Sequence, residues 1–485
     1  MRHFSRISHI PPLSQFINPV LNSAIPVPEK LTDLKYYLQT YGCAMNENDS
    51  QIVSSILHSA GLKSTDTSDK ADLVLINTCS IREKAEQKVK QRLHELLKQN
   101  KRAKIAVLGC MAERLKSSLL EEKLAHIVVG PDSYRALPKL VEAVMCDGKK
   151  NAIDVQLSLE ETYADITPVR NNEISAFISI MRGCNNMCSF CVVPFTRGRE
   201  RSRPMASILE EVKLLHSKGI KEITLLGQNV NSYCDTTSDS VNSHENTPGF
   251  SELFKSRPSG ARFAQLLANV AEEAPNSRIR FTSPHPKDFP QEVLDVMKAY
   301  PNLCKQVHLP LQSGSDRILY SMRRYHTQQA YLDLAERIRN ELPGVALSTD
   351  VIAGFCGETE EDHQETLKVL RTVRFEQAYM FAYSMRSKTH AFNAMQDDVK
   401  EDVKKGRLAE IIEVVKEIQK EINQKEIGKT VKVMVDGPAL KGNWDWTGRT
   451  EQNKRTFGKG SWKLGQDIEA RVVSASSQTL FTEEL

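Results

Sequence analysis

The sequence predicts an α/β protein in three parts: a small parallel α/β domain over residues 34–150, a partial (β/α) barrel over residues 170–425, and a small β-barrel over residues 428–485. Two patterns predict this division. Short apolar segments alternate with helical patterns up to about residue 425, which favours parallel strands joined by helices. Beyond residue 428, short strand patterns are separated by glycine turns. The length of 485 residues is enough for about three domains.

The composition is that of an ordinary soluble protein with a mildly basic balance. Hydrophobic residues make up 40% and charged residues 26% of the chain, and the formal net charge is +4. This charge permits a nucleic-acid partner without requiring one. The sequence has no apolar run of the roughly 20 residues that a membrane span needs, so we expect no membrane partner. Ten cysteines without a secretory signal favour metal binding over a disulfide framework.

Residues 1–30 stand apart from the predicted domains. They contain Arg2, Arg6 and several serines, and no acidic residue precedes Glu29. Such a start is typical of a mitochondrial transit peptide. The alternative is a disordered tail, because several prolines prevent one long helix, and the alternative compartment is the cytoplasm.

Three segments of the first domain each end in a cysteine. KYYLQTYGC ends at Cys43, ADLVLINTC at Cys79 and KIAVLGC at Cys110. Each segment is strand-like, and helical patterns over residues 47–60 and 83–98 lie between them, which predicts a parallel sheet. The cysteines would then lie together at the carboxyl edge of the sheet, where open α/β sheets bind ligands. The alternative is that a small residue is merely tolerated at each turn.

A second set of three cysteines lies within eight residues of the central domain. Cys184, Cys188 and Cys191 have the spacing C-x3-C-x2-C. A structural zinc site takes four protein ligands, and a four-iron cluster normally takes four thiolates. Three thiolates therefore favour an iron–sulfur cluster with one iron open to another ligand over a zinc site. Three buried structural cysteines are the alternative.

Both sets of cysteines lie in motifs that resemble a known family. C-x3-C-x-aromatic-C, here with Phe190, is similar to the signature of radical S-adenosylmethionine (SAM) enzymes, in which the open iron binds SAM. YLQTYGCAMNENDS, NTCSIREKAEQK and GCMAER resemble the N-terminal domain of the methylthiotransferases, and the resemblance extends from about residue 34 to the C-terminus. It implies two 4Fe-4S clusters and S-adenosylmethionine as cofactors. The closely spaced cysteines would hold the radical-generating cluster, and Cys43, Cys79 and Cys110 an auxiliary cluster for sulfur insertion.

The central domain repeats a strand-like segment, a loop and a helical pattern, as expected for a barrel or part of one. Helical patterns cover residues 263–273, 291–299 and 328–341. The resemblance implies a radical SAM partial barrel of six β/α units, with the cofactor at the carboxyl ends of the strands. The segment AGFCGET contains Gly354 and Glu358, for which a contact with SAM is one interpretation. The alternative is that the segment only forms a glycine turn before a helix, whose acidic first residues suit the helix dipole. The residues expected to contact SAM are Phe190, Gly227, Gln228, Gly354 and Glu358.

Arginines at alternate positions follow the closely spaced cysteines. They are Arg197, Arg199, Arg201 and Arg203. Arginine forks suit phosphate and carboxylate groups, so we expect these side chains to contact an RNA backbone or the cofactor carboxylate. The alternative is a solvated, salt-bridged strand edge. The same role is expected of two further arginines after HLPLQSGSD, Arg323 and Arg324.

The last domain combines basic with aromatic residues. Residues 429–463 hold eight Lys or Arg, three Asp or Glu and all three tryptophans of the chain. That combination suits an RNA backbone with unstacked bases, and Trp444, Trp446 and Arg449 are the expected contacts. The segment resembles a TRAM domain, an RNA-binding module of tRNA-modifying enzymes. The alternative, which does not exclude RNA binding, is that the aromatic residues form the core of the barrel.

The resemblance implies a transferase that methylthiolates tRNA. The expected substrate is an isopentenyladenosine next to the anticodon, within the anticodon stem-loop. SAM would methylate a sulfur and would also give the deoxyadenosyl radical that removes hydrogen from carbon 2 of the adenine. The electron donor and the sulfur donor stay unidentified. FAYSMRSKTHA and AGFCGETEEDH look closest to the eukaryotic, organellar branch of the family.

Three alternatives stay open at this stage. Related enzymes act on threonylcarbamoyl-adenosine or on an aspartate of a ribosomal protein, and the basic, aromatic last domain favours RNA over protein. The third is a regulatory protein that binds an activator of a cyclin-dependent kinase, for which some eukaryotic relatives are named. Six cysteines in ligand arrangement favour catalysis over such a binding role.

Overall fold

The computed structural model describes residues 31–80, 83–170, 172–237, 247, 250, 259–440 and 442–485. The predicted transit peptide of residues 1–30 lies outside the described residues. Within the described part of the chain, no helix is both long enough and apolar enough to cross a membrane.

Six parallel strands form the sheet of the first domain. The strands are β1 (Lys35–Thr40), β2 (Lys63–Ser64), β3 (Leu73–Thr78), β4 (Lys104–Gly109), β5 (Ile127–Val129) and β6 (Ala152–Asp154). They lie in the order β2–β1–β3–β4–β5–β6. The helices are α1 (Ala44–Ser59), α2 (Glu83–Gln99), α3 (Cys110–Leu115), α4 (Ser118–Glu121) and α5 (Leu137–Met145). The parallel sheet expected from the cysteine-ended segments is confirmed, since β1, β3 and β4 are those segments.

The central strand β3 shows why this sheet carries helices on both faces. Leu73 and Leu75 pack into one core, and Val74 and Ile76 pack into a second core on the other face. A strand that is apolar on both sides is typical of a parallel sheet covered by helices. The loops that leave the carboxyl edge are therefore held by a rigid layer.

The central domain is an open part of a barrel, as the sequence predicts. Its strands are β7 (Ser175–Ser179), β8 (Met181–Arg182), β9 (Arg201–Ser202), β10 (Glu222–Leu226), β11 (Cys234–Asp235), β12 (Ala261–Arg262), β13 (Arg278–Phe281), β14 (Gln306–His308), β15 (Ala346–Ala353) and β16 (Gln377–Ala382). Strands β7, β10 and β13 pair in parallel, and so do β14, β15 and β16. A parallel bridge between Ile279 and Leu303 joins the two groups, so the six strands follow one another in chain order.

Helices cover the outside of this partial barrel. They are α6 (Val193–Thr196), α7 (Met205–Ser217), α8 (Phe263–Glu273), α9 (Gln291–Ala299), α10 (Asp316–Ser321), α11 (Gln328–Glu341), α12 (Glu360–Val373), α13 (His390–Ala394) and α14 (Glu401–Gln424). The predicted helices over residues 263–273, 291–299 and 328–341 are α8, α9 and α11. Their apolar faces and the strands share one continuous core.

The last domain is a closed five-stranded barrel. Its strands are β17 (Thr430–Pro438), β18 (Trp446–Thr450), β19 (Arg455–Lys459), β20 (Asp467–Ala475) and β21 (Thr479–Glu484), in the order β17–β18–β19–β21–β20. Two arginines of β13 hold it against the central domain. Arg278 binds Asp467 at 2.7 Å, and Arg280 donates to the carbonyl of Thr450 at 2.9 Å. The barrel thus lies near the amino end of β13, away from the carboxyl edge of the strands.

Candidate functional site

The loops that follow β1 and β3 meet around two asparagines. Asn46 donates to Asn77 Oδ1 and to the Thr78 carbonyl, each at 3.1 Å. Asn77 donates back to the Asn46 carbonyl at 2.9 Å. These bonds hold the start of α1 against the end of β3, and so place Cys43 beside Cys79. The sequence analysis did not single out either asparagine, although Asn77 is a polar residue inside an apolar strand.

Two glycines make this close approach possible. A Cβ on Gly42 would lie 2.9 Å from Cys79 Cβ, and one on Gly109 would lie 2.4 Å from Asn77 Oδ1. Both residues have positive φ, +144° and +86°. Because Gly109 directly precedes Cys110, the third loop converges on the same asparagines. Side chains at these positions would force apart the strand ends that carry the cysteines.

The thiols of this first set share one electrostatic environment. Cys43 reaches the surface, Cys79 is half-buried and Cys110 is buried. Loss of hydration nevertheless raises the pKa of the Cys43 thiol. The guanidinium group of Arg197 opposes that effect, and the nearby Cys110 adds to it. Thiols of this kind become thiolates when a metal ion binds them.

The second set lies in the loop after β8. Cys188 is buried, and Cys184 and Cys191 are half-buried. The backbone N–H of Cys184 donates to the Gly198 carbonyl at 3.2 Å, and that of Cys191 donates to Cys188 at 3.0 Å. The loop is therefore closed on itself, with its three sulfurs on a compact turn.

Hydrogen bonds tie this loop to the end of α10. The backbone N–H of Ser189 donates to the Met322 carbonyl at 3.0 Å, and its hydroxyl donates to the Ser321 carbonyl at 2.7 Å. Arg323, just beyond, is half-buried and reaches the ring of His390 at 3.1 Å. The cysteine loop is thus fixed from the far side of the partial barrel.

A buried arginine contacts the second set directly. Arg324 is 4% exposed, and its Nη1 lies 3.5 Å from Cys188 Sγ. Its Nη2 donates to the Pro310 carbonyl at 3.0 Å. Burial raises the pKa of Cys191 to about 12, the charge of Cys188 adds to this, and Arg324 opposes it. Arg324 therefore supplies positive charge to thiols that must ionise in order to bind metal.

The spacing of the thiols distinguishes a site for a single metal ion from a site for a metal cluster. Around a tetrahedral zinc ion, sulfurs at 2.3 Å from the metal lie about 3.8 Å apart. In neither set do all three sulfurs lie within 4.8 Å of one another; in the described part of the chain, the group that meets this limit is Glu360, His363 and Glu410. The thiols of neither set are therefore arranged as around one zinc ion, and soft thiolate ligands also suit an iron–sulfur cluster.

Elements next to the two sets pack together at the boundary between the first and central domains. Helix α6, which follows Cys191, packs against α3, which begins at Cys110. Asp49 of α1 is fully buried and binds Arg182 and Arg197 of the central domain, each at 2.8 Å. Burial opposes the ionisation of Asp49, but the two guanidinium groups outweigh it and lower its pKa. Charges on both sides of the boundary are therefore paired out of contact with water.

A second buried carboxylate extends this network. Asp132 binds Arg201 and lies 3.7 Å from Arg182. The guanidinium group of Arg182 also stands 4.9 Å above the ring of Tyr163. Asp49 and Asp132 belong to the first domain and the arginines to the second, so the network fixes how the two domains pack together.

Most of the alternating arginines are engaged within the protein. Arg201 and Arg203 are buried, and their partners are Asp132 and Glu211, the latter at 2.7 Å. Burial and ion pairing leave these two side chains no free face for RNA, and a solvated strand edge does not describe them either. Arg199 is exposed. Alternation in sequence could not tell these environments apart.

Unpartnered polar atoms line the carboxyl end of β10. Gln228 Oε1 and both polar side-chain atoms of Asn231 are buried and have no hydrogen-bond partner within the described residues. Gly227 lies against Met181, whose Cγ would be 2.5 Å from an added Cβ. Buried orphan groups are costly unless a ligand satisfies them, so this edge fits a polar cofactor such as SAM. Asn231 was missed from sequence, although a run of amides after a strand was visible.

Gly354 and Glu358 have partners in the fold. The N–H of Gly354 donates to Glu358 Oε1 at 2.8 Å, and Arg407 of α14 lies 3.1 Å from the same oxygen. This carboxylate is satisfied internally, as the glycine-turn alternative expects. Phe190 is half-buried and packs edge-on against Phe355, with ring centroids 6.5 Å apart. The cysteine loop is thereby joined to the end of β15.

The predicted RNA contacts of the last domain differ in their burial. Trp446 is fully buried in the barrel core, so the expected base contact does not hold for it. Trp444 is half-buried and stacks on Phe481 with centroids 5.1 Å apart, and Lys459 lies 5.8 Å above its ring. Arg449 is half-buried and lies against Asp436 and Asn453, at the end of β18 away from Trp444.

Comparison with known proteins identifies the family. The radical SAM superfamily matches residues 178–370, and the uncharacterized protein family UPF0004 matches residues 35–130. The mitochondrial tRNA methylthiotransferase CDK5RAP1 of Rattus norvegicus is 48% identical over 92% of this chain and 80% of its own length. The chain belongs to the radical SAM methylthiotransferases. Another relative of this methylthiotransferase, the tRNA-2-methylthio-N(6)-dimethylallyladenosine synthase of Chloroherpeton thalassium, is 46% identical over 93% of this chain and 96% of its own.

Solved structures share the fold of this radical SAM methylthiotransferase. The radical SAM methyltransferase TsrM of Kitasatospora setae, solved with tryptophan and a SAM analog bound, aligns with a TM-score of 0.52 at 15% identity, over 72% of this chain and 73% of its own. Radical SAM methylthiotransferases use SAM and two 4Fe-4S clusters as cofactors. The three-part fold and the cofactor set expected from sequence are confirmed.

Proposed function

We propose that this methylthiotransferase converts N6-dimethylallyladenosine (isopentenyladenosine) next to the anticodon of a tRNA into its 2-methylthio derivative. The observation that carries the proposal is the pair of three-thiol sets on two domains that pack together through one buried boundary. Two relatives named for tRNA methylthiolation align with more than nine-tenths of the chain. Both domains that carry the cysteines lie within that alignment.

Each set of thiols has one role in this proposal. Cys184, Cys188 and Cys191 hold the cluster that binds SAM, and the wider set holds the auxiliary cluster. When bound, these groups supply the radical that removes hydrogen from the adenine and the methylated sulfur that replaces it. The chain's own residues bind and orient: the orphan amides Gln228 and Asn231 offer polar contacts to SAM, and the buried boundary excludes water from the reaction.

The last domain supplies the contact with RNA. Trp444 presents a half-buried aromatic ring beside Lys459, and the two together suit a base and its phosphate. The barrel is bound to β13 by Arg278 and Arg280, so tRNA held there is held at a fixed position relative to the cysteines. We infer that the anticodon stem-loop is the part that reaches them.

Nucleoside mass spectrometry of separated mitochondrial and cytosolic tRNA tests the proposal. Cells without this protein should lose 2-methylthio-N6-dimethylallyladenosine and accumulate its unthiolated precursor in mitochondrial tRNA, because the mammalian relatives are named as mitochondrial enzymes. Wild-type protein should restore the nucleoside, and a variant with Cys184, Cys188 and Cys191 changed to Ala should not. Loss of a different methylthio-adenosine would move the substrate to threonylcarbamoyl-adenosine, and an unchanged nucleoside pattern would refute action on tRNA.

A further inference from the structure

We propose that Arg197 is the positioning residue of the auxiliary cluster, holding and balancing the group bound by Cys43, Cys79 and Cys110. This inference rests on the ligand assignment made in the proposed function. Arg197 does not belong to the domain of those cysteines. It follows α6, six residues after Cys191, and its side chain crosses the domain boundary.

Of the two terminal nitrogens of Arg197, one has a hydrogen-bond acceptor and the other has none among the described residues. Its Nη2 donates to Asp49 Oδ2 at 2.8 Å. Its Nη1 is buried and has no hydrogen-bond partner among the residues that the structure describes. The whole residue is 3% exposed, so water does not serve as a ready acceptor. A buried N–H of a charged group is costly to leave unpaired, and Nη1 therefore requires an acceptor that the folded chain does not supply.

Arg197 lies where the elements that begin at the auxiliary cysteines meet the central domain. Helix α6, which it follows, packs against α3, which begins at Cys110, and its partner Asp49 lies in α1, which follows Cys43. Burial opposes the charge of Arg197, but Asp49, then Cys110 and, more weakly, Cys43 raise its pKa. Arg182 provides the contrast. It binds the same Asp49, but the largest charge effects on it come from Asp49, Arg197, Asp132 and Tyr163, and its own unpartnered atom, Nε, lies 3.7 Å from Asp132.

The charge count at the boundary points to an anionic ligand. Arg182, Arg197 and Arg201 bring three buried positive charges against the two carboxylates Asp49 and Asp132. One positive charge is left unmatched in this network. A buried charge requires a partner, and a cluster with three thiolate ligands is such an anion. The planar fork of arginine offers Asp49 and a cluster sulfur separate N–H donors in fixed directions, whereas all donors of lysine share one nitrogen.

The reduction potential of the auxiliary cluster tests the proposal, because hydrogen bonds to sulfur and nearby charge both set it. The full chain with Cys184, Cys188 and Cys191 changed to Ala carries the auxiliary cluster alone, and its potential is measured by a titration followed with electron paramagnetic resonance. Adding Arg197→Gln should shift the potential downward and change the spectrum. The matched control, Arg182→Gln, breaks the same carboxylate pairing and should lower the unfolding temperature while leaving the potential unchanged.

Each outcome decides a separate point. A potential unchanged by Arg197→Gln, or moved equally by Arg182→Gln, overturns the role of Arg197. If Arg197→Gln does not retain a cluster, Arg197→Lys decides: it keeps the charge but not the planar fork, and an unchanged potential and spectrum overturn the proposal. If the parent chain with Arg197 intact shows no cluster signal, the ligand assignment itself fails, and the proposal fails with it.

Discussion

Arg324 Nη1 lies 3.5 Å from Cys188 Sγ, although 136 residues separate them in the chain. The arginine follows α10, and the cysteine lies in the loop after β8, so the contact spans the partial barrel. The loop is fixed at the same place by Ser189, which donates twice to the end of α10. The cysteines are therefore positioned by the strands and helices of the partial barrel rather than only by their own short turn.

Changing Cys184, Cys188 or Cys191 to Ala should abolish SAM cleavage, because an iron then lacks its thiolate. Release of 5′-deoxyadenosine under reducing conditions measures this. The matched control is Cys356→Ala, since Cys356 is a buried cysteine packed beside Phe190. Cleavage that persists in all three variants would contradict the assignment.

Changing Cys43, Cys79 or Cys110 to Ala should leave SAM cleavage in place and stop transfer of sulfur. The physical reason is that these thiols lie on the other side of the buried boundary from the SAM-binding set. Deoxyadenosine release and methylthiolated nucleoside are measured in the same reaction. A methylthiolated product from any of these variants would rule out their role in sulfur insertion.

Asp49→Asn should destabilise the protein by about 3–5 kcal/mol, because it leaves two buried guanidinium groups without their shared carboxylate. Urea unfolding measures the free energy. Asp33→Asn is the matched control, since the pair of Asp33 and Lys63 is exposed, with side chains 77% and 64% accessible. An exposed pair contributes at most about 1 kcal/mol. Equal losses in the two variants would show that the boundary network is not structural.

Stability should fall with pH below the ordinary pKa of histidine because of His326. Burial, followed by the charge of Arg324, lowers the pKa of His326 from 6.5 to about 3. The unfolded chain therefore binds a proton that the folded chain does not, and stability present above pH 6.5 is lost as the pH falls toward 3. The slope contributed by this group approaches about 1.4 kcal/mol per pH unit. Unfolding of His326→Gln between pH 7 and 5 should show a smaller loss, and an identical profile would contradict the prediction.

The two neighbouring tryptophans of the last domain should respond in opposite ways. Trp444→Ala should weaken tRNA binding by about 1–3 kcal/mol with little change in folding, because a half-buried ring is lost from the surface. Trp446→Ala should cost about 3–5 kcal/mol of stability, because the residue fills the barrel core. Filter binding and thermal unfolding of each variant distinguish the two effects. Full tRNA affinity in Trp444→Ala would remove this ring from the RNA surface.

Strand ends and cysteine sets could be predicted from sequence because they depend on local pattern. Apolar runs of strand length ended at Cys43, Cys79 and Cys110, and the structure places all three at one edge. The arginines could not be assigned in this way, because Arg199 and Arg201 look alike in sequence and differ in burial. What decides their role is the carboxylate that tertiary structure brings to each, and Asp132 is 69 residues from Arg201. Trp446 was misplaced for the same reason, since core and surface positions of a small barrel alternate along one strand.

The pairing of Asp49 with Arg182 also limits how this protein can move. Separating the two domains would leave ionised groups unpaired in an interface that excludes water. The distance between the two cysteine sets is therefore fixed before a substrate binds. The buried ion pairs therefore oppose closure of these domains around a substrate. An adenine of a tRNA must instead leave its stack to reach the cysteines.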